Sequence, residues 1–442
     1  MKKLFSILLV FALVFSCIGC TAQTPAAEQL TVETPAAPAA AESPSEAPTG
    51  APAAADGELK PFKIGLMIGL TGPNAALGLD GRHAVELYLD QVDYVIGDYK
   101  IELIVEDDQV DPEVTLTKAK KLVEMDKVDL LLGPHGAAGA YALLDYINAQ
   151  KIALYIPGAS GDDVTMRKRS EYAVRTGTTS SQPMHPLGDY VAKELGYKKG
   201  AIISYDHSYG YEVAGGFQAA FEACGGDIVY KVFVPNGTTD FSPYISNIPV
   251  NDIDFLFFNA SGADSIRLTA QLSDYGISDK LPIIAGCTPC DEATLQDLDP
   301  SCEGFISALA YAATLDTEAN KSFVSAFENA YGSTPGFVAE QYYTGMMFLA
   351  AALENCEDPY DPLTLINTIK STKVDNAPRG PIAIDEYGNV VHNVYIRKVE
   401  VVDGVRQNTV IKTYEDVSQF WTWSPEEFLA HENYSATYPP VD

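Results

Sequence analysis

Apolar and polar positions alternate along most of this chain in blocks, and two stretches repeat the same strand-then-helix rhythm. From Phe62 onward, short and nearly continuous apolar runs fall at 63–70, 100–106, 128–132 and 152–156. Segments of helical period separate them at about 78–93, 112–126 and 138–149. Runs that short and apolar on both faces predict strands of a parallel sheet covered on both sides, because a sheet with one wet face would alternate. After Tyr172–Thr176 the rhythm restarts, with helices at 182–195, 210–223, 240–248 and 262–275 and strands at 200–205, 227–233, 253–258 and 282–285. A further strand at 304–310 ends this run. Three helical segments, 317–331, 337–355 and 362–372, follow without strands and are expected to complete the cover of the first sheet. A hairpin, 391–402 and 405–414, turns at Asp403-Gly404, a pair that tolerates the backbone of a two-residue turn. The tail 415–442 carries Phe420, Trp421, Trp423 and Phe428 and is expected to pack on the body. The predicted fold class is α/β, with two parallel sheets, each flanked by helices.

Three loops then fall on one edge of the first sheet: Leu70–Asn74, Gly133–Gly139 and Ile156–Gly161. Small ligands of open α/β sheets are held at the carboxyl ends of the strands. These loops are rich in glycine and small residues, which lets backbone N–H groups come close to a ligand, and the last two lead into helix N-termini that favour an anion. Together they make a candidate carboxylate cradle. Taken singly, each also reads as a tight joint between strand and helix.

Charge narrows the partners. The 442 residues contain 60 acidic and 29 basic side chains, a formal net charge of −31, with no cluster of Lys and Arg. Such a surface repels polyanions, so nucleic acid is excluded as a partner. At the N-terminus, Lys2 and Lys3 precede an apolar run from Leu4 to Phe15, too short to span a bilayer and read as a signal peptide over 1–20. The ending Ser16-Cys17-Ile18-Gly19-Cys20 resembles the bacterial lipobox, whose final cysteine is acylated and becomes the mature N-terminus. That resemblance makes Cys20 the lipidation site and implies an exported protein anchored to the cell membrane. Cys17 stands where the motif usually has leucine, and an ordinary secretory signal is the alternative. Residues 21–58, mostly Ala, Pro, Thr, Glu and Ser, have little to bury and are expected to form a disordered tether.

The blocks KIGLMIGLTGPNAALGLDGRHAVELYLDQ, IVEDDQVDPEVTLTKAKKLVEMDKVDLLLGP, YIPGAS and YAVRTGTTSSQP resemble the type I periplasmic solute-binding proteins of ABC importers, in the branched-chain amino-acid receptor group. The resemblance covers nearly all of 60 to 400. It implies two Rossmann-like lobes joined by a three-stranded hinge near Arg175–Thr178, Ser307–Tyr311 and Arg379–Ala383. The lobes would comprise 59–176 with 310–380, and 177–309 with 381–442. It further implies binding without catalysis, capture of a small ligand between the lobes, delivery to ABC permease and ATPase subunits, and a monomer. A ligand-sensing receptor subunit of the same fold is the rival reading.

Residue by residue, the resemblance puts Leu77 beside the ligand, with Gly136, Ala137 and Ala138 at the cradle and His135 as a further donor. Ala137 stands where amino-acid receptors carry a carboxylate-binding serine. Gly158 and Ser160 would hold the carboxylate, and Tyr209 would close over the ligand from the second lobe, an ordinary packing tyrosine being the alternative. Ser261 replaces a tyrosine of the amino-acid receptors. Near Cys287 those receptors place a glutamate against the α-ammonium, whereas here no acid occurs before Asp291 and Glu292. A buried ammonium without a counter-charge is costly. The pocket is therefore expected to take a carboxylate with an aromatic or aliphatic body, a branched-chain amino acid being the alternative.

No Gly-x-Ser-x-Gly, His-Glu-x-x-His or Gly-x-x-x-x-Gly-Lys motif occurs, so neither an enzyme nor a bound cofactor is expected. The six histidines are scattered. The Cys287-x-x-Cys290 pair lacks the further ligands that zinc needs. In an exported protein, a disulfide from Cys302 to Cys287 or Cys290 is the expectation, while Cys224 and Cys356 lie in helical patterns as buried thiols.

Overall fold

The computed structural model describes residues 58–441. The signal segment, Cys20 and the tether to residue 57 lie outside the described residues. A six-stranded sheet is built from β1 (Lys60–Ile68), β2 (Val95–Ile96), β3 (Tyr99–Asp107), β4 (Leu130–Leu132), β5 (Ala153–Ile156) and β6 (Ala173–Arg175), in the order β2-β3-β1-β4-β5-β6. All its pairings are parallel except the small β2–β3 hairpin. The central strands are apolar on both faces because helices cover both: the cores on the two sides contain Ile64, Leu66 and Ile68 on one and Met67, Leu131 and Ile156 on the other.

The second sheet contains β7 (Lys199–Tyr205), β8 (Asp227–Val234), β9 (Phe255–Phe258), β10 (Ile283–Ala285), β11 (Ile306–Leu309), β12 (Ala383–Ile384), β13 (Val390–Val402) and β14 (Val405–Val417). Its order is β12-β13-β11-β10-β9-β7-β8, with β14 pairing β13. The strands β7 to β11 are parallel to their neighbours, and the late hairpin adds antiparallel strands at the β11 edge. Asp403 takes a positive φ of 52° and Gly404 one of 83° at the hairpin turn read from the sequence.

The helices Glu318–Tyr331, Phe337–Asn355 and Pro362–Ser371 return to the first sheet. Tyr331 donates to the carbonyl of His83 at 3.0 Å, Tyr343 to Gln91 at 2.7 Å, and Tyr155 of β5 to the carbonyl of Gly345 at 2.8 Å. The chain therefore passes between the sheets three times, after β6, after β11 and before β12. A fully buried arginine marks each passage. Arg175 donates to Asn389 and to the carbonyl of Gly161, Arg397 donates to the carbonyl of Tyr311 at 2.9 Å, and Arg379 donates to the carbonyl of Thr176. The tail also packs, with Phe420 and Phe428 buried against Met166.

Candidate functional site

Strand ends from the two sheets face each other across a cleft of about 320 Å³. From the first sheet come the loops after β1, β4 and β5 and the helix starts that two of them lead into, carrying Leu77, His135, Gly136, Ala137, Ala138, Gly158 and Ser160; from the second come Tyr209, Ser261 and Cys287. All ten positions singled out from the sequence line this one cavity. Packing explains why the loops can be so close to it. Gly158 lies against Tyr342, where a Cβ would come within 2.8 Å of the ring, and Gly262, at φ 54°, lets the second-sheet loop reach the carbonyl of Pro73 in the first.

Among the described residues lining the cleft there is no Asp, Glu, Lys or Arg. Burial pushes the pKa of His135 down to about 4, so its ring is neutral at physiological pH, and burial pushes the Cys287 thiol up to about 12. The polar contacts on offer are thus neutral. The helix Ala137–Gln150 begins at the cleft with Gly136 as its N-cap and no side-chain cap, and the first N–H groups of a helix have no partner within it. The Ser180 hydroxyl, whose single proton faces both the Ser160 hydroxyl at 2.9 Å and the Ser160 carbonyl at 3.1 Å, holds Ser160 at the cleft. Opposite, Tyr209 and Ser261 share Thr288, with oxygen separations of 2.9 and 2.6 Å. Tyr205, His207 and Tyr209 stack at 5.0 and 6.2 Å between ring centroids and give the second-sheet wall a flat aromatic face.

The profile of the family described as "Periplasmic binding protein" matches residues 61–405. The chain belongs to that family. One relative, the Leu/Ile/Val-binding protein homolog 6 of Brucella melitensis, is 27% identical over 360 residues, covering 80% of this chain and 91% of the relative. A solved solute-binding protein of an ABC transporter from Rhodopseudomonas palustris BisB5, in complex with 3,4-dihydroxybenzoic acid, is 30% identical with a TM-score of 0.77, covering 81% of this chain and 98% of that one. Another from R. palustris, in complex with 4-hydroxybenzoate, is 26% identical with a TM-score of 0.76, covering 82% and 99%. The leucine-binding protein of Thermotoga maritima, 20% identical with a TM-score of 0.72 over 80% of this chain and 99% of that one, shares the fold.

In this periplasmic binding protein several cleft residues escape a reading of the loops. Thr178, Thr179 and Ser180 lie on the first passage between the sheets, and Gln341 lies in the helix Phe337–Asn355. The Gln341 amide is 1% exposed, and neither its oxygen nor its nitrogen has a protein partner. The adjacent polar pair Glu340-Gln341 in a largely apolar stretch of that helix was the available signal for it.

The expected disulfide is not present: Cys287, Cys290 and Cys302 are buried free thiols. Cys290 and Cys302 sit in the apolar core of the second sheet with Leu295 and Phe305, whereas Cys287 turns the other way, toward the cleft, 3.8 Å from the carbonyl of Ser180. Small apolar volume, rather than cross-linking, accounts for the first two.

Proposed function

We propose that this protein is the extracytoplasmic solute receptor of an ABC importer, anchored through Cys20, and that it closes on a small carboxylate with an aromatic or apolar body. The reading divides the body into lobes, 59–176 with 310–380 and 177–309 with 381–442, that clamp the ligand and present it to permease and ATPase subunits. The observation that carries it is a cleft without a charged side chain. A zwitterionic amino acid would bury its ammonium against neutral groups, at a cost of several kcal/mol. A carboxylate instead meets the open helix N-terminus at Gly136–Ala138 and the Ser160 hydroxyl, contacts that suit an anion without needing a cation. The stacked Tyr205, His207 and Tyr209 suit a flat ring, and two solved relatives hold hydroxybenzoates. Contacts from both sides favour the closed form, so binding and closure are one equilibrium.

Calorimetry with 4-hydroxybenzoate, hexanoate and leucine tests this. The expected result is binding of an acid but not of leucine, compaction in small-angle scattering, and roughly tenfold or greater weakening by Ser160→Ala, the loss of a hydrogen bond to a charged group. Binding confined to leucine would overturn the carboxylate reading.

A further inference from the structure

A second cavity, of about 590 Å³, lies beneath the C-terminal segment and shares no lining residue with the cleft. The tail roofs it and is fastened on two sides. Arg167 donates to the carbonyls of Phe428 and His431 at 3.1 and 2.8 Å, while Gln218 donates to the carbonyl of Pro440 at 2.7 Å.

Two carboxylates from different sheets line this cavity. Asp162 follows β5 and is 5% exposed; Glu212 lies in the helix Ser208–Ala223 and is 6% exposed. One oxygen of each is bonded: the Ser181 N–H donates to Asp162 Oδ1 at 3.1 Å, and the Tyr141 hydroxyl donates to Glu212 Oε1 at 2.7 Å. The other oxygens, Asp162 Oδ2 and Glu212 Oε2, have no protein partner. Among the described residues neither carboxylate has an ion pair within 4 Å, although the Arg175 guanidinium acts on both through space. Arg167 is taken by Asp163 at 2.8 Å, and Lys168 at the rim lies 5.1 Å from the Tyr141 ring centroid. Arg175, behind Asp162, directs its donors to Asn389, Gly161 and Thr165. Tyr211, Trp423, Tyr434 and Tyr438 add aromatic surface to the walls.

We propose that this cavity is a second ligand site that takes a small organic cation, an alkylammonium or quaternary amine, with its charge against Asp162 and Glu212 and its body among the aromatic rings. The buried Arg175 guanidinium offsets one of the two charges, and a second buried carboxylate beside the first does not ionise without a further counter-charge, so in the free protein a proton is retained there. Burial, and the Asp162 charge beside it, hold the Glu212 carboxyl well above the usual range, and burial pushes Asp162 to about 6. An ammonium replaces that proton, and ring faces attract cations in a site withdrawn from water.

The test is calorimetry of the intact protein with choline and putrescine at pH 8, with butane-1,4-diol as the neutral probe. The amines are expected to bind and the diol not to bind, with affinity falling at least tenfold at pH 5 as the carboxylates regain their proton. Glu212→Gln and Trp423→Ala are each expected to weaken amine binding tenfold or more. Ser160→Ala and a saturating cleft carboxylate are expected to leave it unchanged. Amine binding that survives Glu212→Gln intact, that is lost with Ser160→Ala, or that is absent altogether would overturn the second site. Amine binding, its pH dependence and its loss in Glu212→Gln and Trp423→Ala need no carboxylate in the cleft, so they stand or fall apart from the proposed transport function.

Discussion

Gly262 shows how a single residue decides whether the two faces of the cleft can meet. Its backbone, at φ 54° and ψ −130°, opens the helix Ala263–Asp274, and a Cβ there would sit 2.3 Å from the carbonyl oxygen of Pro73. Such a conformation costs a residue with a side chain about 1–3 kcal/mol, before any clash. Because the clash is with the opposite face, much of the penalty falls on the closed form. Gly262→Ala is therefore expected to weaken cleft-ligand binding by about tenfold, with the fold retained, as read by titration calorimetry and circular dichroism. Unchanged affinity would mean that the loops of Pro73 and Gly262 do not meet in the bound state. At this scale the sequence was legible where chemistry sits just past a strand end, in a loop as for Ser160 or in the first turn of the next helix as for Tyr209. It could not place Gln341 or Ser180, which reach the cleft only because distant segments converge. Cysteine spacing misled for the same reason: Cys287 and Cys290 are neighbours in sequence but face the cleft and the core respectively.

Elements long enough to repeat their pattern were legible throughout, and those that failed were short. The strands β2 and β12 have two residues and β6 three, too few for any period, whereas the equally short β4 and β10 were legible because they lie within the longer apolar runs at 128–132 and 282–285. The helix read at 240–248 is only Ser242–Ile245, since Pro249 restricts the residue before it and ends the helical path early. The helix from Pro112 changes at Leu122–Asp126 into a π turn that ends at Lys127 with φ 57°. What the pattern could not supply was how the passages between the sheets are tied. Arg379, on the third passage, donates to the Thr176 carbonyl on the first and lies 3.6 Å from Glu340, and both side chains are fully buried. Truncating one member of such a pair leaves the other's polar atoms buried without a partner. Arg379→Ala should cost about 3–5 kcal/mol of unfolding free energy, seen as a lower urea midpoint with an unchanged slope. A loss below about 1 kcal/mol would show that the passages hold together without it.

For the molecule as a whole, burial of ionisable groups between and within the two sheets sets opposing responses to pH. The buried His135, His185 and His392 have pKa values pushed down by burial to about 4, 3 and 3. They contribute stability that is present above the unfolded histidine value near 6.5 and is lost as pH falls below it. Asp80 acts in the opposite sense. It lies on the helix Ala75–Gln91, where burial first and then the Asp291 charge raise its pKa to about 7, against the Gly336 N–H that favours its ionised form and with Glu292 adding repulsion. Asp291, itself raised to about 6 by burial and Glu292, accepts from the Phe337 N–H at 3.0 Å. For a carboxyl held above its unfolded value, the folded form binds the proton more tightly, so stability is present at low pH and declines as pH rises from about 4 to about 7. The two sets partly cancel across mild acid, and the wild-type profile should be shallow there. Asp80→Asn separates them, because an amide cannot ionise. Relative to wild type it should gain stability as pH rises, by on the order of 3 kcal/mol between pH 5 and pH 8, since about two pKa units of the Asp80 shift fall in that window and each is worth about 1.4 kcal/mol. Paired urea titrations at pH 5, 6.5 and 8 read this directly. A stability difference that did not grow with pH would mean that Asp80 pairs with a positive charge in the folded protein, and the repulsion between Asp80 and Asp291 at the junction of the two sheets would have to be abandoned.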